Sequence, residues 1–218
     1  MNIAVILSGG VGKRFGAKIP KQYLDLCGRP VINYVIDAAL SSKIIDEIVL
    51  VIDDCYSEYV EKINNPKIHI VPNGKERVYS VLNALNYIND NYKNCDKLLI
   101  LQAVSPFITS NMINDYFNLL DKYDVVTTAQ KCTGEIFNVK KYKKINRNDY
   151  YFCQSPEAFH FKDLYTNIKV KSKYSELIYH YSFEPKVCFY TEFVDNIKLT
   201  TKEDLEYCEF LMSKRAKH

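Results

Sequence analysis

The chain has no long apolar run, no paired cysteines and no large excess of charge, and each absence removes a class of protein. The opening MNIAVILSGG is apolar for a few residues only. It lacks the basic start and length of a secretory signal, and no later stretch is long enough to span a bilayer, so neither export nor a membrane is expected. The seven cysteines, at 27, 55, 95, 132, 153, 188 and 208, are odd in number and form no CxxC pair. That argues against a disulfide framework and a zinc site, and scattered thiols fit a reducing cytoplasm. His69, His160, His180 and His218 share no ligand spacing, so none is assigned catalysis. A net charge of +3 over 218 residues does not suit a nucleic-acid binder. Any basic surface must be local, and local basic clusters suit small anionic ligands. No repeat, low-complexity tract or Pro/Gly-rich linker divides the chain, so one domain over residues 1–218 is expected.

What is present is an alternation. Short apolar runs at Ile3–Leu7, Glu47–Ile52, Ile68–Val71, Lys97–Leu101 and Asp124–Thr128 read as buried parallel strands. Between them, Val31–Leu40, Val78–Ile88 and Ser110–Leu120 have helical spacing, the last opening on a capping-type serine. Later come a helix near Lys162–Ile168, a strand at Val187–Tyr190 and a helix from about Lys202. The pattern predicts an α/β fold, a Rossmann-like, mostly parallel sheet flanked by helices. It breaks at about 130–153, a polar, Lys- and Tyr-rich stretch too long for an ordinary connection, which reads as a protruding β-arm.

The strongest local signal follows the first strand: Ser8-Gly9-Gly10-Val11-Gly12-Lys13-Arg14-Phe15-Gly16, then Pro20-Lys21-Gln22. Glycines let backbone N–H groups approach an anion, and Lys13, Arg14, Lys18 and Lys21 supply charge, a combination suited to a triphosphate. The bland alternative is a tight turn with solvated lysines. A P-loop is excluded, because Leu7 stands where its first glycine belongs and Arg14 where a Ser or Thr should hold magnesium. A dinucleotide fingerprint needs a helix opening in the loop, where PKQ follows instead.

GGxGxR followed by PKQ resembles the signature of the cytidylyltransferases that act on 2-C-methylerythritol 4-phosphate and ribitol 5-phosphate. Three further blocks extend the likeness in order: Asn73-Gly74-Lys75-Glu76-Arg77-Val78-Tyr79-Ser80-Val81 is similar to GGxxRxxSV, Gln154-Ser155-Pro156-Glu157-Ala158-Phe159 to QTPQxF, and Asp195-Asn196-Ile197-Lys198-Leu199-Thr200 to DNIKVT. The resemblance implies a nucleotidyltransferase fold, with CTP and a small phosphorylated alcohol as partners and Mg²⁺ as cofactor. In the implied reaction an acceptor phosphate oxygen attacks the α-phosphorus of CTP and pyrophosphate leaves. Catalysis is then positioning and charge stabilisation.

The resemblance assigns Arg14, Lys21 and Lys198 to catalysis, on the triphosphate and the α-phosphoryl group. It assigns Ser8, Gly9, Gly10, Gly12, Lys13, Gly74, Lys75 and Ser80 to the nucleotide, mostly through backbone groups. Gln102, Ser105, Thr133 and Arg147 fall at acceptor-side positions, and the arm is implied to embrace a second subunit. Taken alone, Lys198 also reads as surface charge, Ser80 as a helix residue bonding its own backbone, Thr133 as a loop residue, and the arm as a lid over its own cleft. No compact carboxylate cluster is evident to bind a metal without nucleotide.

Several acceptor-side positions depart from the pattern. Gln102 and Ser105 replace the Asp and Arg of HDAxRP, Cys132 replaces an Asp before Thr133, and Ser172-Lys173-Tyr174 stands where an acidic stretch is usual. A polyol is commonly held by carboxylates and a phosphate by Arg. The substitutions therefore predict an acceptor other than methylerythritol or ribitol phosphate, in an envelope, capsule or isoprenoid pathway. The alternatives are a sugar-phosphate nucleotidyltransferase using another nucleotide and a non-catalytic nucleotide-binding homologue. Retention of Arg14, Lys21, Arg147 and Lys198 together argues against the last.

Overall fold

A computed structural model describes residues 1–10, 15, 19–60, 63–170 and 177–215. Its centre is a seven-stranded sheet. β1 (Asn2–Leu7) leads through a short hairpin, β2 (Asp25–Leu26) and β3 (Arg29–Pro30), into α1 (Val31–Leu40). There follow β4 (Glu47–Ile52), β5 (Ile68–Pro72), α2 (Arg77–Asn91), β6 (Lys97–Gln102), α3 (Ser110–Leu119) and β7 (Val125–Lys131). A second hairpin, β8 (Ile136–Asn138) and β9 (Lys143–Ile145), stands apart from the main sheet. The chain returns through β10 (Tyr151–His160), α4 (Phe161–Asn167), β11 (Val187–Tyr190) and α5 (Lys202–Arg215).

The sheet order is β11-β7-β10-β6-β1-β4-β5. Every pairing is parallel except those of β10, which runs antiparallel to both β6 and β7. The alternation of strands and helices in the sequence thus leads to the mostly parallel sheet it predicts. It does not reveal β10, whose residues carry no clean periodicity. Pro156 lacks a backbone donor and sits where the register with β7 shifts between Gln154 and Glu157, the kind of interruption at which a sheet tolerates proline.

Both faces of the sheet are covered, which explains the continuous apolar runs. Ala4, Ile6, Ile48, Leu50 and Leu99 face α1 and α3, meeting Val35, Ile36, Ile113 and Phe117. Their sequence neighbours Ile3, Val5, Val49, Val51 and Leu98 face the other way, toward Val81, Leu85 and Ile88 of α2 and Leu164 of α4. Alternation of side chains along a strand sends successive residues to opposite layers, each apolar. Burying one such Ile or Leu contributes about 1.5–3 kcal/mol.

Helix starts differ in detail from the sequence reading. The cap of α3 is Thr109, whose Oγ1 accepts from Met112 N at 3.3 Å, so Ser110 is the first helical residue. At α5, Asp204 Oδ2 accepts from Thr201 N at 2.8 Å while Asp204 N donates to Thr201 Oγ1 at 3.4 Å, a reciprocal capping pair. No helix among the described residues is long and apolar enough to cross a membrane.

The stretch at 130–153 divides into three parts. Its first residues finish β7 and its last begin β10, with Tyr151 paired to Lys131. What projects between them is the β8–β9 hairpin, in register Ile136 to Ile145. It exposes Phe137, Val139 and Tyr142, and Tyr142 packs edge-on against Phe137.

Candidate active site

The order of connections reverses at β1. The chain goes from β1 to β4 and β5 on one side, then crosses to β6 on the other. In such sheets ligands gather beyond the carboxyl ends of the strands at the reversal. A cleft of about 390 Å³ lies there, lined by the end of β1, the segment after β5, the end of β6 and the loop that carries Lys198.

Two close approaches shape its wall. A Cβ on Gly9 would lie 2.5 Å from Cβ of Asn73, and one on Gly74 would lie 2.3 Å from Cβ of Tyr79. Only glycine fits either position. Asn73 Nδ2 donates to Gly9 O at 3.1 Å, so the glycine loop and the 73–80 block are joined directly. Gln22, buried at the end of PKQ, donates from Nε2 to Ser8 O at 2.6 Å and to Gly10 O at 3.0 Å. The segment between β1 and Gly10 is therefore held from two sides before any ligand arrives.

The residues expected on the nucleotide divide by what their polar groups already do. Ser8 lines the cleft, but its N–H donates to Val51 O at 2.8 Å and its hydroxyl to Tyr23 Oη at 3.3 Å. Ser80 also lines the cleft. Its Oγ accepts from Gly74 N at 3.0 Å, so the side chain shapes the 74–80 turn and its hydroxyl hydrogen is not engaged by any described residue. Gly9, Gly10, Gly74 and Lys75 lie on the wall, and Lys75 holds its ammonium over the Tyr79 ring at 4.9 Å. Gly12 and Lys13 lie outside the described residues, as do Arg14, Lys18 and the Ser172–Tyr174 stretch.

Charge on the wall is one-sided. Among the described residues, Lys21 and Lys198 line the cleft with Lys75 and Arg77, against one acid, Glu76. Cations fixed around a cavity raise the local concentration of an anionic ligand and oppose charge that develops on it. Among the described residues no three His, Cys, Asp or Glu side chains converge to hold a metal ion.

The acceptor-side candidates separate. Gln102 lines the cleft and donates from Nε2 to Ser155 Oγ at 2.9 Å. Ser105 does not line it; it is buried in the turn after β6, its N–H donating to Gln102 O at 3.2 Å. Thr133 and Arg147 meet in the arm instead, where Arg147 Nη1 donates to Thr133 O at 2.6 Å and Glu135 lies 3.8 Å away. Within one chain, neither lines the cleft.

Four residues without an assigned role organise this site: Gln22, Asn73, Arg77 and Asn196. The first two brace the glycine loop. Arg77 lies on the cleft wall. Asn196 donates to Ser155 O at 2.9 Å and so ties the DNIKLT loop to β10. All four belong to the recognised blocks, but spacing does not say which polar side chains in a block turn inward.

A lysine- and arginine-lined cleft at the switch point of a mostly parallel sheet, entered by a glycine-bearing loop after the first strand, defines an α/β enzyme that handles nucleotide phosphates. The comparisons with known proteins carry this further. The model of the IspD family, 2-C-methyl-D-erythritol 4-phosphate cytidylyltransferase, matches residues 2–214. The chain is 34% identical to the protein of that name from Clostridium kluyveri, with 95% of each covered. It is 32% identical to one from Clostridium botulinum, with 98% of each covered. The crystal structure of 4-diphosphocytidyl-2C-methyl-D-erythritol synthase from Anaerococcus prevotii matches with a TM-score of 0.81 at 26% identity, over 97% of this chain and 98% of that one. The chain belongs to the IspD family of cytidylyltransferases and is a CTP-dependent nucleotidyltransferase.

Proposed function

We propose that the chain transfers CMP from CTP to 2-C-methyl-D-erythritol 4-phosphate. An oxygen of the acceptor phosphate forms the new bond to the α-phosphorus, and the bond to the β-phosphate oxygen breaks, releasing pyrophosphate. The observation that carries this reading is likeness over nearly the full chain to relatives named for that acceptor. Lys21 and Lys198 would face the phosphates as fixed cations, with Arg14 joining them by resemblance. The rigid 73–80 segment, with the Ser80 hydroxyl, would read the cytosine edge. Among the described residues the wall has one acid and no three side chains converge on a metal, so Mg²⁺ would be held chiefly by the triphosphate oxygens, with Glu76 the carboxylate at hand. When bound, it would neutralise phosphate charge and assist departure of pyrophosphate.

A different phosphorylated alcohol is the second reading, favoured by Gln102 and Ser105. The comparisons lend it no support, and the burial of Ser105 away from the cleft wall weakens the argument from that residue. A homodimer accompanies the proposal. Phe137, Val139, Tyr142, Tyr150, Tyr151 and Phe152 are exposed on and beside the arm, an apolar surface of the kind that partners cover. A partner's arm would bring Arg147 to the acceptor phosphate.

The test is pyrophosphate release from each nucleoside triphosphate with Mg²⁺ and a panel of phosphorylated polyols. Turnover of CTP with methylerythritol phosphate is expected. No turnover of that acceptor beside clear turnover of another would replace this reading with the second.

A further inference from the structure

A carboxylate lies behind the cleft wall, outside the roles described above. Glu157 follows the bulge of β10 and has no exposed surface. One of its oxygens, Oε2, accepts from Arg77 Nη2 at 3.2 Å and from Leu177 N at 3.4 Å, and Oε1 accepts from Ile178 N at 3.3 Å. Burial pushes its carboxyl up, while the Arg77 guanidinium and the two backbone N–H groups pull it down. A buried carboxylate is costly unless paired, so this one is placed by its partners rather than by its own solvation.

Arg77 is that partner, and it opens α2 on the cleft wall with about a quarter of its side chain exposed. The same Nη2 also reaches Ser155 Oγ at 3.3 Å, which in turn accepts from Gln102 Nε2 at 2.9 Å. Glu157, Arg77, Ser155 and Gln102 thus form one chain from the buried side of β10 to the cleft. Its polarity is internally consistent. Ser155 Oγ accepts from both Arg77 and Gln102, and the guanidinium faces the Glu157 carboxylate. A carboxylate at 102 would turn the Ser155 hydroxyl round to donate to it and would add an anion beside the Arg77–Glu157 pair.

We propose that Glu157 is a positioning residue for cytidylyl transfer. It holds Arg77 as a fixed cation on the cleft wall, and it acts as a pair with Gln102, one site carrying the acid and the other the amide. A tethered guanidinium needs no reorganisation when charge develops beside it, whereas a released one must be recaptured from water. An amide at 102, where the family resemblance leads one to expect a carboxylate, then follows from the acid at 157. It is no sign by itself of a different acceptor.

A four-member kinetic cycle tests this: the native chain, Glu157→Gln, Gln102→Glu and the exchanged Gln102→Glu/Glu157→Gln. Each is assayed for CTP- and Mg²⁺-dependent pyrophosphate release with the acceptor that the native chain turns over, whichever that is. The result therefore does not depend on the acceptor assignment. Glu157→Gln is expected to lower kcat at least tenfold with little change in KM for CTP, since Lys21, Lys75 and Lys198 remain to bind it. Calorimetry should still find about one CTP site per chain, which separates a misplaced Arg77 from a partly unfolded sample. Gln102→Glu is expected to lose rate as well, and the exchanged pair to recover most of either loss. Native rate in either single variant would overturn the proposal. So would an exchanged pair no faster than Glu157→Gln while binding CTP normally. If Glu157→Gln does not fold, Gln102→Glu decides alone, because residue 102 is only partly buried and its isosteric change leaves the core intact.

Discussion

The cleft wall and the arm are both polar, lysine-bearing segments, and the structure treats them oppositely. At the wall, Gly9 and Gly74 sit where a single Cβ would collide, and Gln22 and Asn73 fasten the backbone on either side. In the arm, Gly134 has nothing within 4 Å of an added Cβ, and Val139 and Tyr142 are more than four-fifths exposed. The wall is organised before ligand binds, whereas the arm presents surface that its own chain leaves uncovered. Chemistry that relies on fixed charge needs the first arrangement, and recognition between subunits needs the second.

The sharpest way to probe the wall is to remove its charge without touching its packing. Lys21→Ala is expected to lower kcat by about 3 kcal/mol in barrier, roughly a hundredfold, with little change in melting temperature. Steady-state kinetics beside thermal melting checks it, and near-native turnover would remove Lys21 from catalysis. Packing at the wall comes next. Gly74→Ala places a methyl against Tyr79 and the adjacent backbone. It should cost about 2 kcal/mol, seen as roughly thirtyfold weaker CTP binding by calorimetry or a matching loss of stability.

A smaller effect is expected in the arm. Arg147→Ala should raise KM for the acceptor about tenfold, the loss of one charge-assisted phosphate contact, and leave CTP binding unchanged. Mixed with Lys21→Ala chains and assayed at acceptor concentrations well below KM, where each variant alone is slow, it should regain activity as hybrid dimers form with one intact site. If subunits exchange and no activity returns, each chain supplies its own Arg147 and the arm is a lid. The weakest effect is the control: Gly134→Ala, in open space, should change stability by less than about 0.5 kcal/mol. A large loss there would show that the arm is as tightly built as the wall.

Much of this molecule follows from local patterning. The runs at Glu47–Ile52 and Val187–Tyr190 and the helix at Val31–Leu40 coincide with the observed elements, because burial on both faces writes itself into continuous apolar residues. The cations of the cleft were legible for a related reason: Lys21, Lys75 and Lys198 belong to compact blocks whose spacing is characteristic. Tertiary structure decided the rest. β10 turns back antiparallel to lie between β7, the preceding strand of the sheet, and β6, and its polar residues serve the site rather than the core, so no period announces it. Ser105 and Gln102, three positions apart, parted because the turn after β6 buries one and aims the other at the cleft. Glu157 became the partner of Arg77 only when the sheet brought residues 80 positions apart to 3.2 Å. A sequence records what each residue prefers, while the identity of its neighbour is settled by the closing of the sheet.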